Sequence, residues 1–360
     1  IIFRPEQQAA IDKTKKVFRR GNQMLWNAKM RFGKTLCALR VARDLEMKRT
    51  MILTHRPVVD EGWFEDFGKI FYDRPDYHYG SRTKGESFKA LEYLASKGDR
   101  YVYFASMQDM RGSELVGGKF DKNNELFSTS WDFLIIDEAH EGTQTELGKA
   151  VIEELTKADT KVLQLSGTPF NLLDEHSEDE IFTWDYVMEQ RAKAEWDIAH
   201  MGDPNPYESL PAINIYTYDL GRLMSDYADD EKAFNFREFF RTREDDTFVH
   251  EHDVDNFLTL LCRNDKDSLY PYSNDEYRRI FRHTLWILPG VKATRALSAK
   301  LKAHPVFGLF EIVNVAGNGD EDEENADALQ MVNNAIGSDP DETYTITLSC
   351  GRLTTGVSIK

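Results

Sequence analysis

Two runs constrain this chain more than any other feature: Ala28-Lys29-Met30-Arg31-Phe32-Gly33-Lys34-Thr35 and, far downstream, Leu134-Ile135-Ile136-Asp137-Glu138-Ala139-His140. The first has the form A-x-x-x-x-G-K-T. In that pattern backbone N–H groups cradle phosphates, the Lys34 amine reaches the β- and γ-oxygens, and the Thr35 hydroxyl is offered to Mg2+. Residues 23–26 ahead of it are apolar enough for a strand, and residues 36–42 have the spacing of a buried helix face. The run therefore falls between strand and helix, where phosphate binding needs it. Residues 131–136 are apolar except for Asp132, which predicts a strand covered on both faces in a parallel sheet. Asp137 and Glu138 emerge at its carboxyl end, the edge at which open α/β sheets bind ligands. A Gly-Lys-Thr in a turn, or an acidic pair at a strand end, is ordinary by itself. In this order and spacing the two runs assign Asp137 to a magnesium ion and Glu138 to an attacking water.

With these residues the chain resembles the superfamily 2 helicases and translocases that carry an Asp-Glu-Ala-His box. Further stretches match that family in order. Phe3-Arg4-Pro5-Glu6-Gln7 resembles the segment that reads adenine, which implies base recognition by Gln7 and Arg4. Residues 51–57 resemble a strand and turn that touch the nucleic-acid backbone, placing His55 and Arg56 there, and residues 102–108 resemble the next strand, with Gln108 near the substrate. Leu165-Ser166-Gly167-Thr168-Pro169-Phe170 resembles the segment that links nucleotide to nucleic acid, which makes Ser166, Thr168 and the box histidine His140 coupling residues. Residues 348–357 resemble a late motif in which Thr354 and Thr355 meet nucleic acid and the Gly356 backbone meets nucleotide. Within the superfamily, the R-P-x-Q start, S-G-T-P-F and G-R-L-T-T-G-V most resemble the motor subunits of type I and type III restriction enzymes.

The resemblance implies an ATP-dependent DNA translocase or helicase with ATP and Mg2+ as cofactors. Ala28, Arg31 and Gly33 would contribute backbone to the nucleotide beside Lys34 and Thr35. The implied architecture is α/β: a RecA-like parallel-sheet lobe with helices on both faces, a helical insertion, and an incomplete second RecA-like lobe. A nuclease or methyltransferase domain or subunit is the implied partner, since no P-D…D/E-x-K nuclease site stands out within these residues. RNA in place of DNA stays open, because contacts to a backbone carry little sequence information.

Two departures from the family pattern matter. Arg31 stands where the family has a glycine; its backbone can still donate to phosphate if its torsion angles are ordinary, and its side chain either adds a cation or points to solvent. The chain also ends at Lys360 without a Q-x-x-G-R-x-x-R segment, and an arginine acting on the γ-phosphate contributes several orders of magnitude in rate. As Ile1 is not an initiator methionine, the expectation is a fragment of a longer protein that binds nucleotide and hydrolyses it poorly alone. The competing reading is a nucleic-acid clamp or scaffold that keeps the fold with little or no ATP turnover.

Length and charge fit a two-lobe chain. At 360 residues, with 41% hydrophobic and 12% aromatic residues, it can build more than one core. No apolar run approaches the roughly 20 residues of a membrane span. Cys37, Cys262 and Cys350 are too scattered for a disulfide set and read as small hydrophobes in a reducing, cytoplasmic setting. The net charge of -17 divides unevenly: residues 1–120 hold 23 Lys/Arg against 15 Asp/Glu, and the remainder 22 against 47. Phosphate contacts need local cations, not a basic whole. The cluster Lys13, Lys15, Lys16, Arg19 and Arg20 is either such a contact or a solvated helix face.

Punctuation predicts four stretches: a first ATP-binding lobe over 1–175, an extension and connector over 176–220, an aromatic helical insertion over 221–282, and a partial second lobe over 283–360. Residues 181–200 suit a helix and 213–218 alternate like a half-exposed strand. The aromatics of the insertion fit core packing better than base stacking. The acidic run after Gly317 is expected to be a solvated loop, since it lacks the bidentate glutamate of a calcium loop.

Overall fold

The computed structural model describes residues 1–55, 59–140, 145–213, 234–263, 272–317 and 328–351. The chain forms two compact units, Ile1–Asn214 and Ile215–Lys360.

The first unit is built on seven parallel strands. These are β1 Gln23–Ala28, β2 Arg49–Thr54, β3 Tyr77–Gly80, β4 Arg100–Ser106, β5 Phe133–Asp137, β6 Lys161–Ser166 and β7 Ile181–Trp184, arranged in the order β3-β4-β2-β5-β6-β1-β7. Parallel strands need helical crossovers, and these cover both faces of the sheet. Side-chain alternation sorts each strand between two cores. On one face Trp26, Ile52, Val102, Ile135 and Leu163 pack with the apolar stripes of helices α1 Pro5–Val17, α2 Lys34–Asp44 and α3 Asp60–Phe71. On the other, Leu25, Met51, Leu53, Leu134, Ile136 and Val162 pack with α4 Phe88–Ser96 and, past the short helices α5 Met107–Arg111 and α6 Asn124–Ser128, with α7 Glu146–Leu155.

The start of α1 is set locally: Pro5 occupies its first turn, and the Gln7 side chain accepts the Arg4 backbone N–H at 2.8 Å. Deeper in, the buried Trp26 indole donates to Thr14 Oγ1 at 2.9 Å. Thr14→Val keeps the shape and leaves that N–H unmade, so denaturant unfolding is expected to show a loss of about 1–2 kcal/mol. An unchanged midpoint would show the bond to be without net worth.

Residues 181–200 do not form one helix. Ile181–Trp184 is a strand, in register from Leu25 opposite Ile181 to Ala28 opposite Trp184, and only Tyr186–Ala199 is helical, as α8. The Ile-Phe-Thr-Trp sequence has the β-branched and aromatic make-up of a half-buried edge strand. Asp185 then starts the helix by accepting the Met188 N–H at 2.8 Å.

The second unit contains a three-stranded parallel sheet in the order β8-β10-β9, formed by β8 His283–Ile287, β9 Glu311–Asn314 and β10 Thr345–Ser349. Helix Val291–Ala303 packs on it through Ala293, Leu297 and Leu301. Short helices Phe236–Phe239 and Asp275–Ile280 flank the longer Glu251–Cys262, with an antiparallel bridge between Thr242 and Phe248. Their Phe239, Phe240, Phe248 and Leu258 join Ile346 and Leu348 in one buried cluster, so these aromatics are core. The strand expected over 213–218 and the acidic run after Gly317 fall almost wholly outside the described residues. Among the described residues no helix is long and apolar enough to cross a membrane.

Candidate functional site

Strands β5, β6 and β1 are neighbours, and being parallel they release their following loops at one edge. Asn27 lies opposite Ser166 and Ile136 opposite Gln164, which brings the 28–35 loop, Asp137-Glu138 and Ser166–Thr168 together. The Lys34 amine donates to the Ala28 carbonyl at 2.8 Å and the Lys29 carbonyl at 3.4 Å. A methyl placed on Gly167 would lie 3.9 Å from that amine and 3.6 Å from the Ala28 carbonyl. Burial lowers the pKa of Lys34, and the carboxylates of Glu138 and Asp137 oppose the shift. The amine and the acid pair therefore share one electrostatic environment.

Asp137 titrates high, at about 6, because burial and then the neighbouring Glu138 charge disfavour its carboxylate; the Trp63 indole, donating at 3.2 Å, and Lys34 act the other way. A carboxyl whose folded pKa exceeds its unfolded value destabilises the fold when charged. That cost is fully present above about pH 6 and disappears as pH falls below about 4. Asp137→Asn is therefore expected to raise the unfolding free energy by roughly 1–2 kcal/mol near pH 7 and to give no gain near pH 4. Destabilisation at neutral pH would contradict this electrostatic picture.

Glu138 holds a left-handed backbone, φ 50°, and its N–H donates to Asp137 Oδ1 at 3.0 Å. The turn lets the next N–H, of Ala139, pair with the Leu165 carbonyl at 2.9 Å, tying this segment to β6. His140 Nδ1 lies 2.8 Å from Ser166 Oγ and 3.6 Å from Glu138 Oε2, and Ser166 Oγ also accepts the Thr168 N–H at 3.1 Å. The three residues expected to couple are thus hydrogen-bonded to one another through Ser166 Oγ, and His140 brings them within ion-pair distance of Glu138.

The 28–35 loop is held from α1. Gln7 Nε2 donates to the Phe32 carbonyl at 2.6 Å, and Arg4 donates to the carbonyls of Phe32 at 3.0 Å and Arg31 at 3.3 Å. Gln7 and Arg4, expected at the base, are in this structure engaged with the loop backbone. Gly33 has φ 90°, which favours glycine, and a Cβ there would fall 2.6 Å from Gln7 Nε2 and displace that amide from the Phe32 carbonyl. The torsion at Arg31 is not ordinary: φ is 65°, the left-handed region. The loop keeps the backbone course that a glycine would allow, at the strain a side chain adds there. The Arg31 side chain is exposed, and Thr35, half-buried, stands in the first turn of α2.

At the same edge of the sheet, beyond β2, a cleft of about 460 Å³ is lined by Ser81, Arg82, Thr83, Gln108, Asp109 and Lys122, among others. Gln108 is therefore placed at a cleft with cations: Arg82 and Lys122 each lie 2.8 Å from Asp109. His55 contacts Arg111, 3.3 Å away. Arg56, Thr354, Thr355 and Gly356 lie outside the described residues. Of the basic cluster along α1 and the turn after it, Lys13 donates to the Ile181 carbonyl at 2.6 Å and Lys15 pairs with Asp44 at 2.8 Å, while Lys16, Arg19 and Arg20 are exposed. Sequence reasoning missed Trp63, which holds Asp137, and Glu189, a fully buried carboxylate on α8 paired with Lys29 at 2.6 Å. No local pattern marks either.

Residues 1–171 match the family described as type III restriction enzyme, res subunit. The chain is 26% identical, over 431 aligned residues, to a Mycoplasma pneumoniae protein described as "Putative type II restriction enzyme and methyltransferase RM.MpnORF110P C-terminus"; the match takes in 99% of this chain and 58% of that protein. The chain thus spans less than two thirds of that relative's length. Among solved structures, the E. coli DExH-box NTPase HrpB superposes over all of this chain and 35% of its own, with a TM-score of 0.53 at 13% identity. The architecture is RecA-like.

Proposed function

We propose that this chain, a superfamily 2 helicase similar to restriction-enzyme motors, is the motor of a DNA translocase or helicase that couples ATP hydrolysis to movement along DNA. The observation that carries the proposal is the convergence at one sheet edge of the Lys34 amine, the Asp137-Glu138 pair and the His140–Ser166–Thr168 chain. A buried amine beside two carboxylates matches what a magnesium triphosphate brings: anionic oxygens for the amine and a cation for the acids. Lys34 would leave the Ala28 carbonyl to bind the β- and γ-oxygens. Thr35 and Asp137 would hold the magnesium, which when bound neutralises phosphate charge. Glu138 orients water and accepts its proton.

His140 reports the state of Glu138 to Ser166 and Thr168, and so to the segment that follows β6. The cleft with Arg82, Gln108 and Lys122 supplies cations and an amide for a nucleic-acid backbone. The restriction and methyltransferase description of the Mycoplasma pneumoniae relative supports DNA as the track and a nuclease or methyltransferase as an attached domain or subunit.

Phosphate release by the full-length protein tests this. Magnesium-dependent hydrolysis that rises on adding DNA is expected. A protein that binds DNA and releases no phosphate at saturating DNA is the scaffold for which the strained Arg31 backbone argues.

A further inference from the structure

We infer that the segment after β6, running through β7 and α8 to Tyr207, positions the 28–35 loop from both ends, with Glu189 and Tyr207 as its positioning residues; this rests on the loop being the nucleotide site. At the first end, the Lys29 N–H donates to the Trp184 carbonyl at 3.0 Å, and the Lys29 amine donates to Glu189 Oε1 at 2.6 Å. Glu189 is fully buried, and its other oxygen, Oε2, has no hydrogen-bond partner among the described residues. A buried carboxylate without a cation is strongly destabilised, so this one depends on Lys29 and fixes where Lys29 stands. The Lys29 carbonyl is one of the two on which the Lys34 amine rests.

At the second end, the Tyr207 hydroxyl donates to Glu6 Oε2 at 2.7 Å. Glu6 Oε1 accepts from Arg4 Nε at 2.6 Å, and Arg4 in turn donates to the carbonyls of Arg31 and Phe32. Burial and the Glu6 hydrogen bond hold the Tyr207 phenol protonated, as a donor. The two routes meet the loop on either side of Met30 and bracket Arg31, the residue at φ 65°. A non-glycine residue persists in that region only where its surroundings over-determine it. The segment supplies those surroundings, so a change in β7 or α8 alters how the loop receives phosphate.

Full-length protein and its variants are titrated with a fluorescent ATP analogue and magnesium, and melting is followed with and without nucleotide. Glu189→Gln and Tyr207→Phe act at opposite ends of the loop, and each is expected to weaken nucleotide binding about tenfold, within the range of ordinary coupling between sites, while the rate at saturation is kept. The Lys29→Met/Glu189→Gln double variant should bind no worse than the weaker single, because one pair carries the effect. Variants that melt earlier yet bind nucleotide as the parent does would overturn the inference, as would additive losses in the double. A parent that binds no nucleotide would overturn the functional reading as well, whereas a binding parent with equally binding variants sinks this inference alone.

Discussion

Lys34→Ala is expected to abolish ATP hydrolysis, by at least about a hundredfold, the loss typical when one preorganised donor to developing charge is removed. The amine now rests on two loop carbonyls and sits with Asp137 and Glu138, so it is the local positive charge against which phosphate oxygens and two acids are balanced. Alanine leaves the acids facing the phosphates without it. The fold should survive, since the loop remains anchored through Gln7, Arg4 and Lys29. A melting temperature close to the parent's with hydrolysis lost is the expected pair of readings. A Lys34→Ala protein that hydrolyses ATP at the parent rate would remove the site from the chemistry.

Glu138→Gln should separate binding from turnover. The substitution keeps size and hydrogen bonding and removes the base, so hydrolysis should fall by about 10² to 10⁴, the usual contribution of a general base. Nucleotide affinity should hold or rise, because one negative charge beside Asp137 and the phosphates is gone. The left-handed Glu138 backbone is a strain that glutamine inherits unchanged, and loss of the Glu138 charge relieves the buried Asp137, so the variant should be no less stable than the parent. Parallel loss of affinity and rate would instead show that Glu138 serves binding.

Much of this site was legible in the sequence because its chemistry is local. Lys34 and Thr35 follow one strand and Asp137 and Glu138 end another, and the apolar runs that identify those strands also dictate that they lie parallel and release their loops at a common edge. The His140–Ser166 contact could be expected from motif order, since β5 and β6 pair directly. What escaped depends on distant packing. Ile181–Trp184 is separated from a helix by Asp185 alone and so does not stand out in the sequence, whereas its pairing with β1 is what brings Trp184 to the Lys29 amide. Glu189 has the look of any helix-surface glutamate until α8 buries it against Lys29. The torsion of Arg31 is not readable from sequence, because an arginine ordinarily avoids φ above zero and only the anchors on both sides show why this one does not. The aromatics before β8 suit packing, and those of the described part are packed in the core of the second unit.

The most direct test of the central claim is a structure of the protein with magnesium and a non-hydrolysable ATP analogue. In it the Lys34 amine is expected to have left the Ala28 carbonyl for the β- and γ-phosphate oxygens, with Thr35 and Asp137 around the magnesium and Glu138 facing the γ-phosphate. A triphosphate bound elsewhere, with Lys34 still on Ala28 and Asp137 still held by the Trp63 indole, would contradict this assignment.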